Sequence, residues 1–282
     1  AYDAEKHGAM PVLSDAKTGL TDLALELASY KAHPPAPALK SDWFDKVDPL
    51  TDAPRDSNAL PTDMQVIGAV QRAAGEHTVA MCAAGTMPGE LHKLWKAGRP
   101  GSYHMEYGFS CMGYEIAGAM GIKMAQPERD VICFTGDGTY MMANSEMATA
   151  AMMGISFTVV VTDNRGFGCI NRLQMGTGGA EFNNLLDHTV QKTPSAIDFA
   201  KQAEAMGATS VKVSSIAELE DALAKRDGIK GPYVVVIDTD PYPSTEYGGT
   251  WWEVAVPEVS ERDQVMKKRA AYEAALKERV TK

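Results

Sequence analysis

The sequence predicts an α/β fold, a parallel sheet flanked by helices. Three observations carry this. Residues 131–169 hold two apolar runs, Val131–Phe134 and Ile155–Thr162, separated by a helical pattern of about a dozen residues, which is a βαβ unit. Two further runs, 208–213 and 233–238, alternate with amphipathic helical stretches. Both central runs stop abruptly in loop residues, Gly136-Asp137-Gly138 and Asp163-Asn164-Arg165-Gly166. In a parallel unit both loops leave the C-terminal edge of the sheet, where such folds bind ligands.

The elements follow in order. Residues 1–30 begin without Met and as if inside a domain. Leu20, Leu23, Ala24, Leu27 and Ala28 form a helical stripe that Thr21 or Asp22 would cap. Five prolines fall between residues 34 and 54, so 31–61 reads as a linker or an extended surface segment. The domain proper then occupies 62–240. Thr62 or Asp63 caps a helix through Ala74, and Thr78–Ala83 is a buried strand whose loop is Ala84-Gly85-Thr86. A short helix surrounds Leu91–Trp95. A longer one over 110–125 is rich in small residues (Gly113, Ala117, Gly118, Ala119, Gly121), which let it lie close to a neighbour. After the central unit, the Gly-rich stretch 167–184 reads as a mobile loop over the site. Helices over 195–206 and 215–227, the second capped by Ser215, alternate with the last two strands. The tail, 241–282, carries Trp251 and Trp252, read as packing residues, and a charged helix.

Composition narrows the function. The 282 residues suffice for one large α/β domain plus a tail, and 45% apolar with 23% charged residues is ordinary for a globular chain. A net charge of −10 without a basic cluster argues against a nucleic-acid surface. No apolar run approaches the ~20 residues of a membrane span. Cys82, Cys111, Cys133 and Cys169 form no CxxC pair, so the expectation is reduced thiols, no zinc and a cytoplasmic protein.

One carboxylate at Asp137 and one amide at Asn164, with glycines alongside, suit a hard cation such as Mg²⁺, which takes few protein ligands and completes its shell with phosphate oxygens. The loop into the following helix favours that phosphate. A dinucleotide fingerprint fails, because Met141 stands where a third glycine is needed. Taken singly, Gly-Asp-Gly and the asparagine are also ordinary turn residues; the combined order of strand, GDG, helix, strand and Asn is far more specific.

That order resembles the cofactor motif of the thiamin-diphosphate enzymes. Longer strings resemble one family among them, which opens trihydroxycyclohexanedione in myo-inositol catabolism: DAEKHGAMP, LPTDMQVIGAVQRAAG, CAAGTMPGELHKLWKAG, YHMEYGFSCMGYEIAGAMG and GGTWWEVAVPEVS, spanning about Asp3 to Ser260. Asp-Asn stands where the superfamily commonly has Asn-Asn, and the ligand is the second of the two.

The resemblance implies the diphosphate-binding domain fold, with 1–30 the end of a preceding middle domain. It implies thiamin diphosphate and Mg²⁺ as cofactors. Asp137, Asn164 and the Gly166 carbonyl would hold the metal, and Gly138 and Thr139 the diphosphate. Gly85 and Thr86 would join the cofactor site from the loop after the first strand. Met112 would lie under the cofactor, although an isolated Met is ordinary core. The carbonyls of Ser110 and Cys169 would accept from the 4′-amino group. The reaction cleaves a ring C–C bond of a cyclic polyol dione and hydrolyses the product to an open-chain deoxy-uronic acid. His104 and Glu106, just before the cofactor-facing segment, are the candidate acid and base; a histidine among aromatics also serves structure. Asn171, Arg172 and Gln174 could meet substrate hydroxyls, or lie on a solvated loop.

The activating glutamate belongs to a pyrimidine-binding domain that no stretch here resembles. The expectation is a fragment, or one chain of a split or nicked enzyme, completed by that domain and assembled as a homo-oligomer. Two other readings stay open: a 2-oxoacid decarboxylase or acetolactate-synthase-like carboligase, and a non-catalytic binding module.

Overall fold

A computed structural model of the chain describes residues 4–5, 7–33, 38–52, 58–106, 108–248 and 254–280. These divide into two compact units. One comprises Phe44–Gly176 and Ala180–Thr250; the other comprises Ala1–Trp43, Thr177–Gly179 and Trp251–Lys282.

The first unit is built on a six-stranded sheet: β1 Thr78–Cys82, β2 Tyr103–Met105, β3 Asp130–Gly136, β4 Thr158–Asp163, β5 Thr209–Val213 and β6 Tyr233–Asp238. Their order is β2-β1-β3-β4-β6-β5, and every pair is parallel. Strands covered on both faces read as continuous apolar runs, which is why Val131–Phe134 and Tyr233–Ile237 carry no polar alternation. On one face Val79, Met81, Val131, Cys133, Val159, Val161, Val234 and Val236 form a core with Ile116, Tyr140, Met147 and Phe199. The alternate residues point the other way. There Phe134 meets Trp95 edge-on, with ring centroids 6.2 Å apart.

Helices cover both faces. In chain order the helices of the described residues, taking both units together, are α1 Ala16–Glu26, α2 Ala38–Val47, α3 Asp63–Ala73, α4 Thr86–Leu94, α5 Tyr114–Ala125, α6 Asp137–Met142, α7 Glu146–Met153, α8 Gly168–Gly176, α9 Phe199–Ala205, α10 Ile216–Ala224 and α11 Asp263–Val280, and those covering the sheet come from the first unit. The expected caps form. Thr62 and Gln65 make a reciprocal capping box on α3, and Ser215 Oγ accepts from the Glu218 amide at the start of α10.

Several expectations are corrected. The cap of α1 is Asp15, which accepts from the amides of Lys17 and Thr18; Thr21 instead donates its hydroxyl to the Lys17 carbonyl. Part of the Pro-rich segment is helical (α2), and Val47 at its end is fully buried. The helix expected over 110–125 starts only at Tyr114, leaving 110–113 as a turn. The central helix is two helices, broken at Ala143–Ser145. The stretch read as a mobile loop contains α8, whose Gly168 and Asn171 are buried. β2 has no counterpart in the sequence reading, since three residues make no apolar run. Trp251 and Trp252 lie outside the described residues. Among the described residues no helix is long and apolar enough to cross a membrane.

α3 lies so close to the 3₁₀ turn Asp48–Thr51 that a Cβ on Gly68 would run into the Thr51 carbonyl oxygen. Arg72 Nη1 donates to that same oxygen at 3.2 Å. Mid-helix Gly→Ala normally stabilises by roughly 0.5–1 kcal/mol. Here backbone stands in the way, so Gly68→Ala should destabilise, by about 1–3 kcal/mol, in urea unfolding with an unchanged m-value.

Candidate active site

Parallel pairing assembles the site. Gly136 of β3 stands opposite Thr162 of β4, so Asp137 leaves the sheet edge beside Asp163 and Asn164. Asp137 is 5% exposed and Asn164 6%. Asp137 Oδ2 accepts the Gly166 amide at 2.8 Å. Its other oxygen, Oδ1, and Oδ1 of Asn164 are both buried without a hydrogen-bond partner. Buried polar atoms are nearly always paired, so two orphans in loops that leave the same sheet edge need an explanation. Burial pushes the Asp137 carboxyl up to about 7, and the neighbouring Asp163 carboxylate adds to the rise. Asp163 is itself raised by burial. A divalent cation reverses that logic, because it rewards the ionised form.

The donor set fits a hard cation. Among the described residues no group of three or more His, Cys, Asp or Glu side chains could hold a metal. A cation here would rest on one carboxylate, one amide oxygen and backbone carbonyls. That set, with open positions for phosphate oxygens, suits Mg²⁺.

The loop after β4 is shaped to bring Gly166 in. Arg165 has φ 60° and Gly166 φ 145°. The Phe167 amide donates to the Asn184 carbonyl at 2.7 Å, and the Leu186 amide to the Arg165 carbonyl at 2.8 Å, pinning the turn in an isolated antiparallel bridge. A Cβ on Gly166 would strike the Asn184 carbonyl, and one on Gly138 would meet the Phe167 ring at 2.6 Å. Thr139, one residue into α6 from Gly138, is buried.

The remaining candidates come from neighbouring loops. Gly85 caps α4 with φ 104°, and Thr86 is the first residue of that helix. Ser110 adopts the left-handed region at φ 52°, a sparse conformation for a residue with a Cβ, and that conformation sets the direction of its carbonyl. Met112 follows, half-buried. Glu106 accepts the amides of Phe109 at 3.0 Å and Cys111 at 2.6 Å. The Cys111 amide, then the Phe109 amide, hold its carboxyl below the usual range, so it is a loop brace and a poor base. His104 differs. Its Nε2 lies 3.1 Å from the Tyr114 hydroxyl, and the two rings stack with centroids 5.9 Å apart. Cys169, half-buried on α8, has its thiol pushed up by burial.

Asn171, Arg172 and Gln174 are bound inward. Asn171 is 1% exposed and donates to Glu181 Oε1 at 2.7 Å. Arg172 donates to the Pro241 carbonyl and Gln174 to that of Ala180. Sequence reasoning missed Asp163 as a neighbour that perturbs Asp137, Tyr114 as the partner of His104, and the buried Glu115. The only sequence signal for Glu115 was an acidic residue in an otherwise small and apolar helix.

Gly166→Ala should cost about 1–3 kcal/mol locally, from a strained φ and a backbone clash. Native-state hydrogen exchange reads it: the Phe167 and Leu186 amides should lose protection about tenfold or more, with β3 and β4 unchanged.

Comparison with known proteins follows the same lines. A family model described as "Thiamine pyrophosphate enzyme, C-terminal TPP binding domain" matches residues 83–237. A 3D-(3,5/4)-trihydroxycyclohexane-1,2-dione hydrolase of Halalkalibacterium halodurans is 36% identical over 298 aligned residues, covering 96% of this chain and 46% of that protein. One of Bacillus thuringiensis is 40% identical over 225 residues, covering 76% of this chain and 34% of that protein. The chain thus spans a third to a half of the length of these curated relatives. Among solved structures, a Rhodococcus jostii RHA1 thiamine diphosphate-dependent 4-hydroxybenzoylformate decarboxylase superposes with a TM-score of 0.60 at 18% identity, over 69% of this chain and 35% of that one. A benzoylformate decarboxylase from Polynucleobacter necessarius gives 0.58 at 18%, over 68% and 35%. At that identity the likeness is one of fold.

Proposed function

The chain belongs to the thiamine pyrophosphate enzymes through their C-terminal TPP-binding domain, and on that footing we propose that it is the cofactor-binding part of a hydrolase that opens the ring of trihydroxycyclohexane-1,2-dione. The substrate rests on the named relatives and on the YHMEYGFSCMGYEIAGAMG string. The observation that carries the cofactor reading is the pair of orphaned buried oxygens on Asp137 and Asn164. They and the Gly166 carbonyl would hold Mg²⁺. Gly138 and Thr139 would donate to the diphosphate, Gly85 and Thr86 would border it, and Met112 would lie under the cofactor. The carbonyls of Ser110 and Cys169 would face its aminopyrimidine.

When bound, thiamin diphosphate supplies the electron sink for breaking a carbon–carbon bond beside a carbonyl. The chain's own residues supply binding, orientation and protons. His104 is the group best placed to deliver a proton to the released carbon, because its Nε2 already shares a hydrogen bond with the Tyr114 hydroxyl. Glu106 accepts the Phe109 and Cys111 amides and leaves proton transfer to His104. The product is an open-chain deoxy-uronic acid. The activating glutamate would come from a pyrimidine-binding domain, supplied by another segment or a second chain within a homo-oligomer. Exposed Phe109, Met141, Met142, Met152 and Met153 offer that domain apolar surface. The four free thiols support a reducing, cytoplasmic setting.

Calorimetric titration of thiamin diphosphate with Mg²⁺ tests the site. Wild type should bind, and Asp137→Ala should lose at least about tenfold in affinity, the scale of one removed ligand interaction. Equal binding by both proteins would defeat the assignment, and no binding by wild type would favour a non-catalytic module. Turnover is read in a preparation containing the rest of the relatives' length. Hydrolysis of the dione is expected, and preferential turnover of pyruvate would point to a decarboxylase or carboligase.

In that preparation His104→Gln should lower kcat about 10²–10⁴-fold while cofactor affinity holds. A kcat within threefold of wild type would remove His104 from the proton path.

A further inference from the structure

Glu115, the second residue of α5, is 1% exposed and among the largest fully buried side chains of the chain. Its Oε2 accepts the Gly113 amide at 2.9 Å, and its Oε1 accepts the Ala84 amide at 3.4 Å. The two donors belong to separate turns. Ala84 follows β1 and precedes Gly85; Gly113 closes the turn that carries Ser110 and Met112. Each turn contains a left-handed glycine, Gly85 at φ 104° and Gly113 at φ 96°, so neither is rigid by itself. Among the described residues the titratable groups facing Glu115 are Glu106 from the loop after β2, Cys82 on β1 and Cys133 on β3. None brings positive charge. Burial pushes the Glu115 carboxyl up to about 7, against the pull of its own amide and those of Gly113 and Ala84. A buried carboxyl without a cation is costly wherever an apolar side chain would fit, and the other buried residues of α5 are Ile116, Gly118 and Ala119.

We propose that Glu115 is a positioning residue whose ionised carboxylate clamps the Ala84–Gly85 turn to the Ser110–Gly113 turn, fixing the spacing of the two walls that hold the cofactor. The assignment of those walls to the cofactor rests on the reading given above. The geometry requires the ionised form. Both oxygens face N–H donors, and a protonated carboxyl must turn an O–H toward one of them, so one tie is lost. Losing either tie unfastens the two turns from each other, so both open together and the Ala84 and Gly113 amides lose protection as one. At pH values where Glu115 is protonated the two turns part; where it is ionised they hold together. Cys82 and Cys133 stay neutral thiols across this range, since burial pushes Cys82 up to about 12 and Cys133 well above its ordinary value. Glu106 stays charged, held low by the Cys111 and Phe109 amides. Glu115→Gln separates the contribution of Glu115 from that of His104, which stacks on Tyr114.

The test is amide exchange on the full chain from about pH 5.5 to 8.5, expressed as protection factors, beside titration with thiamin diphosphate and Mg²⁺. In wild type, protection of Ala84 and Gly113 should rise together with pH, about tenfold and with one midpoint, the scale of a hydrogen bond to a charged group. Glu115→Gln, a neutral isostere, should hold both amides at the low level at every pH and weaken cofactor binding about tenfold. Glu115→Asp should restore part of both. Separate midpoints, or protection in Glu115→Gln equal to wild type at high pH, overturn the clamp. Cofactor binding by Glu115→Gln with wild-type affinity and pH dependence overturns it as well. Should Glu115→Gln not fold, the wild-type series decides alone, since one shared midpoint is required. If wild type binds no cofactor while the two amides still titrate together, the clamp stands and the cofactor reading is what fails.

Discussion

The pairing of β3 with β4 is the constraint on which the rest depends. Both strands run parallel, with Gly136 opposite Thr162, so the loops that follow them emerge side by side. Nothing in the loops has to find its partner by itself. A slip of one residue would turn Val131, Cys133, Val159 and Val161 off the face they share with Tyr140 and Met147, and burial on that face forbids it. The hydrophobic core therefore sets the separation of Asp137 and Asn164. Core packing and the placement of these two side chains are here one requirement.

The chemistry at that edge is paid for in electrostatics. Asp137, Asp163 and Glu115 are all pushed up by burial, and Asp63, at the first turn of α3, is raised to about 6 by the same cause despite Arg172 nearby. Each is a group the folded chain would rather keep neutral. Two orphaned oxygens add the desolvation of unpaired acceptors, about 1–3 kcal/mol each by the usual scale. A fold under selection for stability alone would place apolar side chains at these positions. A cation bound there would return part of that cost by rewarding charge where burial penalises it, and its occupancy would then add to stability.

Legibility in the sequence followed period and length. Strands buried on both faces announced themselves as apolar runs, and Thr62 and Ser215 announced their helices by capping chemistry. The GDG and Asn-Arg-Gly loops were legible because glycine and polar turn residues end an apolar run abruptly. What stayed hidden was set by tertiary contact. β2 is three residues that pair only because β1 offers an open edge. α8 forms in a Gly-rich stretch because Asn171 reaches Glu181 and Arg172 reaches the Pro241 carbonyl, long-range bonds that no local propensity encodes. Glu115 was overlooked since a single acid in a small-residue helix looks like a solvent-facing one. His104 and Glu106 were indistinguishable by position; only their partners, a tyrosine hydroxyl in one case and two amides in the other, set them apart.

The segment from β2 to α5 shows how a functional surface can be ordered without regular structure. Residues 106 and 108–113 form neither helix nor strand, and Ser110 and Gly113 both take positive φ. Such a segment exposes carbonyls and side chains that a helix would hide, but its amides need acceptors. Carboxylates meet that need from both ends. Glu106 receives Phe109 and Cys111, and Glu115 receives Gly113. The two acids differ in one respect that decides their behaviour. Glu106 is reached by solvent and stays charged, so it holds its turn at any pH near neutrality. Glu115 is sealed under the sheet edge, where charge is marginal, so its hold is conditional. Such a loop is braced permanently at one end and, on the proposed clamp, conditionally at the other, with its fixed point at Glu106. That point lies next to Ser110, whose positive φ sets the direction of its carbonyl.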